Sequence, residues 1–469
     1  MPLHPVSSFP ASGGAALREA LRVLARLIVL LAALGLIGAR GAWAQQVLRD
    51  AETEQLIHEA AAPLVRAAGL DDKNVQFVVI NDPNINAFVA GGQIVWLHSG
   101  LIENADNLNQ VQGVMAHELG HIEGGHIIRS MEGIKEATGI QIVSMLLGAA
   151  ALAAGGGEAG MGIMAAGQQA ALGRFLSFTR SQESSADSAG ARYLSEAGIS
   201  GKGSVEFFKK LQNLEYRLFV PQDTYVRTHP LSSDRISALE NVYTHDPAWN
   251  RPTDPALEAR FQRVKAKLVG YVEEPPRVLQ LYPPSDTSIP ARYARAYAYH
   301  RGAYTDQALS EIDALLAAVP HDPYFLELKG QVLLESGKPA EAIPPLREAV
   351  ERSGSSPLIA TLLGHALIAT DDPAYLDEGE RVLRGVVTRD RENPFAWYAL
   401  GTIYERQGDT ARAALATAER YQMEGQDALA LRSAQTAMAG IDPQSPDYLR
   451  AQDIAMVSRA ALEQQGRKR

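Results

Sequence analysis

The sequence predicts an α+β protein: a mainly helical domain carrying a small β-ribbon or sheet, followed by an α-solenoid of stacked helix pairs. Three observations predict it. Short β-branched runs fall between residues 75 and 98, amid helical periodicity. A proline-rich stretch at 246–290, surrounding one short helix pattern near 256–270, marks a linker or a domain junction. From residue 291 small residues recur: Ala296, Gly330, Gly364 and Gly401 are spaced 34, 34 and 37. The 469 residues suffice for two or three domains. They divide into 1–44, an export signal; 45–250, the mixed domain; 251–290, a Pro-rich linker; and 291–469, the repeats.

In residues 1–44, Arg18, Arg22 and Arg26 precede an apolar run from Leu27 to Gly38, and Ala42-Trp43-Ala44 fits a cleavage site. The run of about a dozen residues is short for a membrane span. An uncleaved anchor is the competing reading, and Arg40 favours it. The long stretch before Arg18 leaves the true start open. If the signal is cut, the mature chain begins near Gln45 and the compartment is the periplasm. A chain without Cys is compatible with that oxidising space.

Residues 50–69 read as a helix with Leu56, Ile57, Ala60, Leu64 and Ala67 on one side. Val75 to Ile80 is a strand, and Asn81-Asp82-Pro83-Asn84 a turn. Phe88 to Leu97 forms a β-ribbon around Gly91-Gly92, whose glycines allow a tight turn. Ser99 or Asn107 supplies the cap for the helices that follow.

The stretch Val114-Met115-Ala116-His117-Glu118-Leu119-Gly120-His121-Ile122 reads as a helix. His117 and His121 lie one turn apart on the same face, where one cation takes both nitrogens. Glu118 points beside that cation, where a carboxylate holds water and takes its proton. Chance yields roughly 0.03 such motifs from this composition. Val111, Val114, Met115, Leu119 and Ile122 predict a buried helix. Without Cys, any metal must use His and carboxylate. His126 lies about 500° of helical rotation past His121, so it reads as structural, and Glu123 is also off the face.

Residues 139–172 are rich in Ala and Gly and too short before their glycines to span a bilayer. Two readings compete: a helical hairpin packed by small residues over the site, or a lid touching membrane or substrate through residues such as Met145, Leu146 and Met161.

A second helix supplies the remaining ligand. Ser181 caps a helix that runs to about Ala197 and stops at Gly198. Glu183, Ala186, Asp187 and Gly190 share one face; the small pair permits close approach, and Glu183 completes a His-His-Glu set. Asp187, one turn on, accepts the second N–H of a ligand His.

His117-Glu118-Leu119-Gly120-His121 followed by Arg180-Ser181-Gln182-Glu183-Ser184-Ser185-Ala186-Asp187 resembles the zinc metallopeptidase family that includes HtpX and the CAAX prenyl endopeptidases. Asn86-Ala87-Phe88…Gly91-Gly92 and Thr228-His229-Pro230…Asp234-Arg235 match its pattern too, over about residues 50–250. Ala90 departs from it, since relatives often carry Pro there. The resemblance implies a zincin-like peptidase domain holding one zinc ion per subunit through His117, His121 and Glu183. It places His229 near that ion, either as an oxyanion donor or in the water position, where it holds the enzyme inactive. HtpX-type relatives carry transmembrane helices, and this chain shows none beyond residue 44. An exported member with a helical-repeat tail resembles the family's branch that assists outer-membrane β-barrel assembly.

In the repeats, Ala308, Ala342 and Ala413 stand twelve residues after Ala296, Gly330 and Gly401; three extra residues near Asp371-Asp372-Pro373 put Gly379 in the third such place. Trp397-Tyr398-Ala399-Leu400-Gly401 and Tyr404 match the tetratricopeptide pattern. About four pairs are readable, with a degenerate capping region over 427–460, and such stacks present a concave surface to another protein. The net charge of −10 argues against nucleic acid. The sequence thus predicts an exported zinc endopeptidase, with Glu118 and His229 catalytic. By resemblance, its substrates are misfolded or stalled outer-membrane proteins, and its repeats engage the outer-membrane assembly machinery. The alternative is a non-proteolytic repeat chaperone or adaptor whose zinc site is latent or structural.

Overall fold

The structure, a computed structural model, describes residues 47–153, 157–218, 229–230 and 233–467. The export signal expected in 1–44 and the motif residue Thr228 lie outside the described residues. Strand β1 (Val47–Leu48) leads into helix α1 (Ala51–Ala67), capped by Asp50, whose side chain accepts from the Thr53 N–H. Strands β2 (Gln76–Ile80), β3 (Ala87–Val89) and β4 (Ile94–His98) complete a sheet of order β1-β2-β4-β3. The ribbon expected from sequence is the antiparallel β3–β4 pair, turned through Gly91 (φ +72°) and Gly92 (φ +100°). Strand β4 also pairs parallel with β2, from Gln76↔Ile94 to Ile80↔His98. That pairing makes β4 central and leaves β3 on an edge.

Ser99 corrects one expectation. It lies inside helix α2 (Ser99–Asn104), and its hydroxyl is engaged by the Asp82 backbone, accepting from the N–H at 3.2 Å and donating to the carbonyl at 2.9 Å. Asn107 does cap helix α3 (Leu108–Glu123), accepting from the Gln110 N–H. Helix α3 is buried continuously from Leu108 to His121, as its apolar residues require.

Helices α4 (His126–Ala153) and α5 (Gly157–Glu196) form a long antiparallel hairpin. Helix α5 passes unbroken through Ser181, so the cap expected there is absent: the Ala- and Gln-rich sequence upstream is itself helix-forming. The turn after α5 uses Gly198 at φ +65°. Helices α6 (Lys202–Leu218) and α7 (Ser233–Thr244) pack beside α3 and α5.

Residues 251–290, expected as a linker or domain junction around one short helix near 256–270, hold that helix as α8 (Pro255–Val272) and a second, α9 (Pro275–Leu281). Phe261, Val264 and Leu268 of α8 sit in the same core as Leu56 and Val114. The prolines open helices instead of spacing domains, since Pro is well suited to the first helical turn. Lys267 and Glu52 meet at 3.4 Å, and Tyr293 donates to Glu52 at 3.0 Å, which ties α1 and α8 to the first repeat helix.

Five helix pairs follow: α10 (Ile289–Arg301) with α11 (Thr305–Ala318), α12 (Pro323–Glu335) with α13 (Pro339–Arg352), α14 (Pro357–Ala369) with α15 (Leu376–Arg389), α16 (Pro394–Gln407) with α17 (Thr410–Met423), and α18 (Asp427–Gly440) with α19 (Pro446–Arg467). The last pair occupies the region expected as a degenerate cap. Small residues sit where helices cross: a Cβ on Gly364 would lie 2.6 Å from Leu383. The extra residues of the third repeat form a 3₁₀ turn at Pro373–Tyr375. Among the described residues no helix is long and apolar enough to cross a membrane.

Candidate metal centre

Helices α3 and α5 touch backbone to backbone. A Cβ on Gly120 would lie 2.7 Å from the Ala186 carbonyl oxygen, and one on Gly190 3.1 Å from the Ala116 carbonyl. Only small residues permit this approach, which brings Glu183 over the paired imidazoles. His117 Nε2 is 3.1 Å from His121 Nε2, and the Glu183 carboxylate lies 3.4 Å from the first and 3.5 Å from the second. His229 joins from the segment before α7, with Nδ1 at 3.1 Å from Glu183 Oε1 and 3.4 Å from His117 Nε2. The four donors lie within 4.8 Å of one another.

Around them stands a buried outer layer. Asp187 Oδ1 is 2.9 Å from His117 Nδ1. Arg235 donates to both Asp187 oxygens, at 2.7 and 2.9 Å, and its Nη1 is 3.0 Å from Glu183 Oε2. Sequence reasoning gave Arg235 no role; nothing local shows that the start of α7 meets two carboxylates of α5. It also placed His126 away from the site. In fact His126 Nδ1 is 2.9 Å from His121 Nδ1. The rotation estimate assumed an unbroken helix, but Gly125 at φ +60° ends α3 and restarts the chain as α4. The His126 ring fills the space a Cβ on Gly124 would need.

Electrostatics follow the geometry. Burial pulls the His117 pKa down, but the Asp187 and Glu183 carboxylates outweigh it and hold it at about 10. Burial pushes Glu183 up, and its contacts with His117 and His229 reverse this, keeping it ionised. Burial lowers His121, with His117 and His229 adding to the effect. Glu118 is fully buried, its pKa is raised chiefly by burial, and neither oxygen has a hydrogen-bond partner.

These residues fit a metal ion. Imidazole nitrogens facing each other at 3.1 and 3.4 Å compete for the same protons, and a cation between them satisfies them together. The orphaned Glu118 carboxylate lies beside the set, 3.5 Å from His229 Nε2. Every residue named for the site from sequence is drawn into one buried cluster: His117, His121, Glu183 and His229 as facing donors, Glu118 beside them, Asp187 behind.

Residues 48–243 match the model of peptidase family M48, and residues 293–357 and 376–437 match a tetratricopeptide repeat model. The beta-barrel assembly-enhancing protease of Yersinia pestis is 26% identical over 390 residues, covering 81% of this chain and 78% of that protein. A putative beta-barrel assembly-enhancing protease of Vibrio cholerae is 30% identical over 290 residues, 60% of this chain and 59% of that one. Metalloprotease LoiP of Escherichia coli is 29% identical over 180 residues, 38% of this chain and 66% of its own length.

Proposed function

We propose that this metalloendopeptidase, a peptidase family M48 domain followed by tetratricopeptide repeats, is an exported zinc enzyme kept latent by one of its own histidines. The observation that carries this is the convergence of four donors from three separate segments within 4.8 Å, beside a buried carboxylate with no hydrogen-bond partner. A sulfur-free set of imidazoles and one carboxylate suits zinc. His117, His121 and Glu183 would hold it, with His229 in the fourth position. When bound, zinc supplies Lewis-acid polarisation of the peptide carbonyl and acidifies water. Glu118 takes the proton of the attacking water and returns it to the leaving amine. Asp187, itself held by Arg235, fixes the His117 tautomer.

His126 does the same for His121. Burial lowers the His126 pKa, so it stays neutral at pH 7 and accepts the His121 Nδ1–H. His126→Ala is expected to weaken zinc binding about 10- to 100-fold in chelator competition. An unchanged affinity would remove His126 from the centre.

His229 also reaches the edge strand: its Nε2 is 3.3 Å from the Ala87 carbonyl oxygen. Displacing it opens the fourth position together with a strand edge to which a substrate main chain can add. The relatives' name supports a role in β-barrel assembly; on the resemblance described above, we take the substrates to be misfolded or stalled outer-membrane proteins in the periplasm. The repeats would recruit them or the assembly machinery.

The test is cleavage of an unfolded outer-membrane β-barrel protein by the purified chain and by His229→Ala, with and without chelator. The expected result is chelator-sensitive cleavage, faster in the variant by several-fold or more, as a closed fraction is released. The four-donor closure also favours a second reading, a non-proteolytic adaptor with a latent site; no cleavage by either protein, with the metal bound, would select it.

A further inference from the structure

The hairpin of α4 and α5 has an inner stripe of small residues and an outer face that nothing among the described residues covers. Inside, Gly148 sits against Met164 and Gly167 against Ser144. Outside, Ile142, Val143, Met145, Leu146 and Leu147 are 53%, 56%, 55%, 67% and 58% exposed. At 100° per residue these five spread over about 200° of the helix. Met161 and Leu172 continue the surface onto α5 at 64% and 51% exposed. Between Glu136 and Arg174 the only charged residue is Glu158, and there is no Tyr, Trp or Phe. At the base the character changes: Glu132, Lys135 and Glu136 are exposed, and Arg174 pairs with Glu136 at 2.8 Å.

We infer that the distal part of this hairpin docks into the interfacial layer of a lipid bilayer. A protein partner would be met by aromatic residues, arginines and a polar rim. The distal part, between Glu136 and Arg174, offers no aromatic residue and no arginine, only a broad arc of Ile, Val, Leu and Met that a fluid apolar medium accommodates without matched shape. Such an arc in water is a cost unless something apolar covers it. The charged base forms a collar at headgroup level. The arm from Ala137 to Ala153 is about 25 Å long, short of a full crossing. Glu158 keeps the start of the return helix in the headgroup layer, so the hairpin lies along the surface on its α4 side. Neither the uncharged face nor the net charge of −10 attracts anionic lipid, so the contact is apolar. The hairpin is rooted in the metal centre, since α4 begins at His126 and α5 carries Glu183. Docking therefore fixes the cleft close to a membrane surface.

The chain has no Cys, so a single cysteine is a unique probe. The full chain with Leu146→Cys, labelled with the fluorophore NBD, is mixed with phosphatidylcholine vesicles. The expected result is a blue-shifted emission that persists in high salt, while the same label at Leu449→Cys, 56% exposed on α19, does not shift. In the unlabelled chain, L146E/L147E lowers vesicle partitioning by at least about tenfold, with its helical circular dichroism unchanged. No shift at residue 146, or equal partitioning of the double variant, overturns the inference. Self-association without lipid that the double variant abolishes, together with no shift on vesicles, assigns the face to a second copy and also overturns it.

Discussion

Glu118→Gln is expected to lower peptide cleavage by about 10²- to 10⁴-fold while leaving the metal content unchanged. Glu118 is fully buried and has no hydrogen-bond partner, so it contributes little to holding the helices together. The amide keeps its volume and removes its capacity to take a proton. Burial raises its pKa, which brings a carboxylate nearer to the range in which it both accepts and returns a proton near pH 7. Turnover of an unfolded protein substrate, measured with elemental analysis of the same preparation, checks this. Retained cleavage removes Glu118 from the mechanism. In cells the variant separates two roles: full envelope integrity with Glu118→Gln, lost on deletion of 291–469, selects the adaptor reading.

Glu183→Ala is expected to lose the metal and, with it, cleavage. Glu183 is the one carboxylate in the donor set, and it alone links α5 to both imidazoles of α3. Its removal takes the only carboxylate from the donor set while the Arg235 guanidinium beside it stays, which disfavours a cation there. The loss in affinity should exceed the roughly 10- to 100-fold typical of groups behind the ligands. Proton linkage gives a second readout. His117, held at about 10 in the metal-free protein, carries a proton at pH 7 that a ligand must shed. Metal uptake by the wild type therefore releases about one proton, and affinity strengthens as pH rises toward that value.

Much of the centre was legible because its parts are local. The four-residue spacing of His117 and His121 fixes a shared face in any helix. Ala186 and Gly190 announce a close crossing because a larger residue would collide with the facing backbone. What was not legible depends on contacts between distant segments or on the end of an element. His126 was misplaced because Gly125 ends a helix that the periodicity would continue. Ser181 carries a cap's chemistry, yet the hairpin and its helix-forming sequence extend α5 through it. Arg235 acts only because the start of α7 meets α5. The parallel β2–β4 pairing joins strands with a third between them in sequence, and alternation within each strand says nothing of it. The prolines of 251–290 signal helix starts as readily as linkers, and burial of Phe261 and Val264 decides between them.

The most direct test of the centre is elemental analysis of the purified chain beside its Glu183→Ala variant. One zinc per chain in the wild type, and next to none in a variant with unchanged helical circular dichroism, is the predicted outcome. Equal metal in the two proteins, or none in the wild type after zinc is supplied, would contradict a cation shared by α3 and α5.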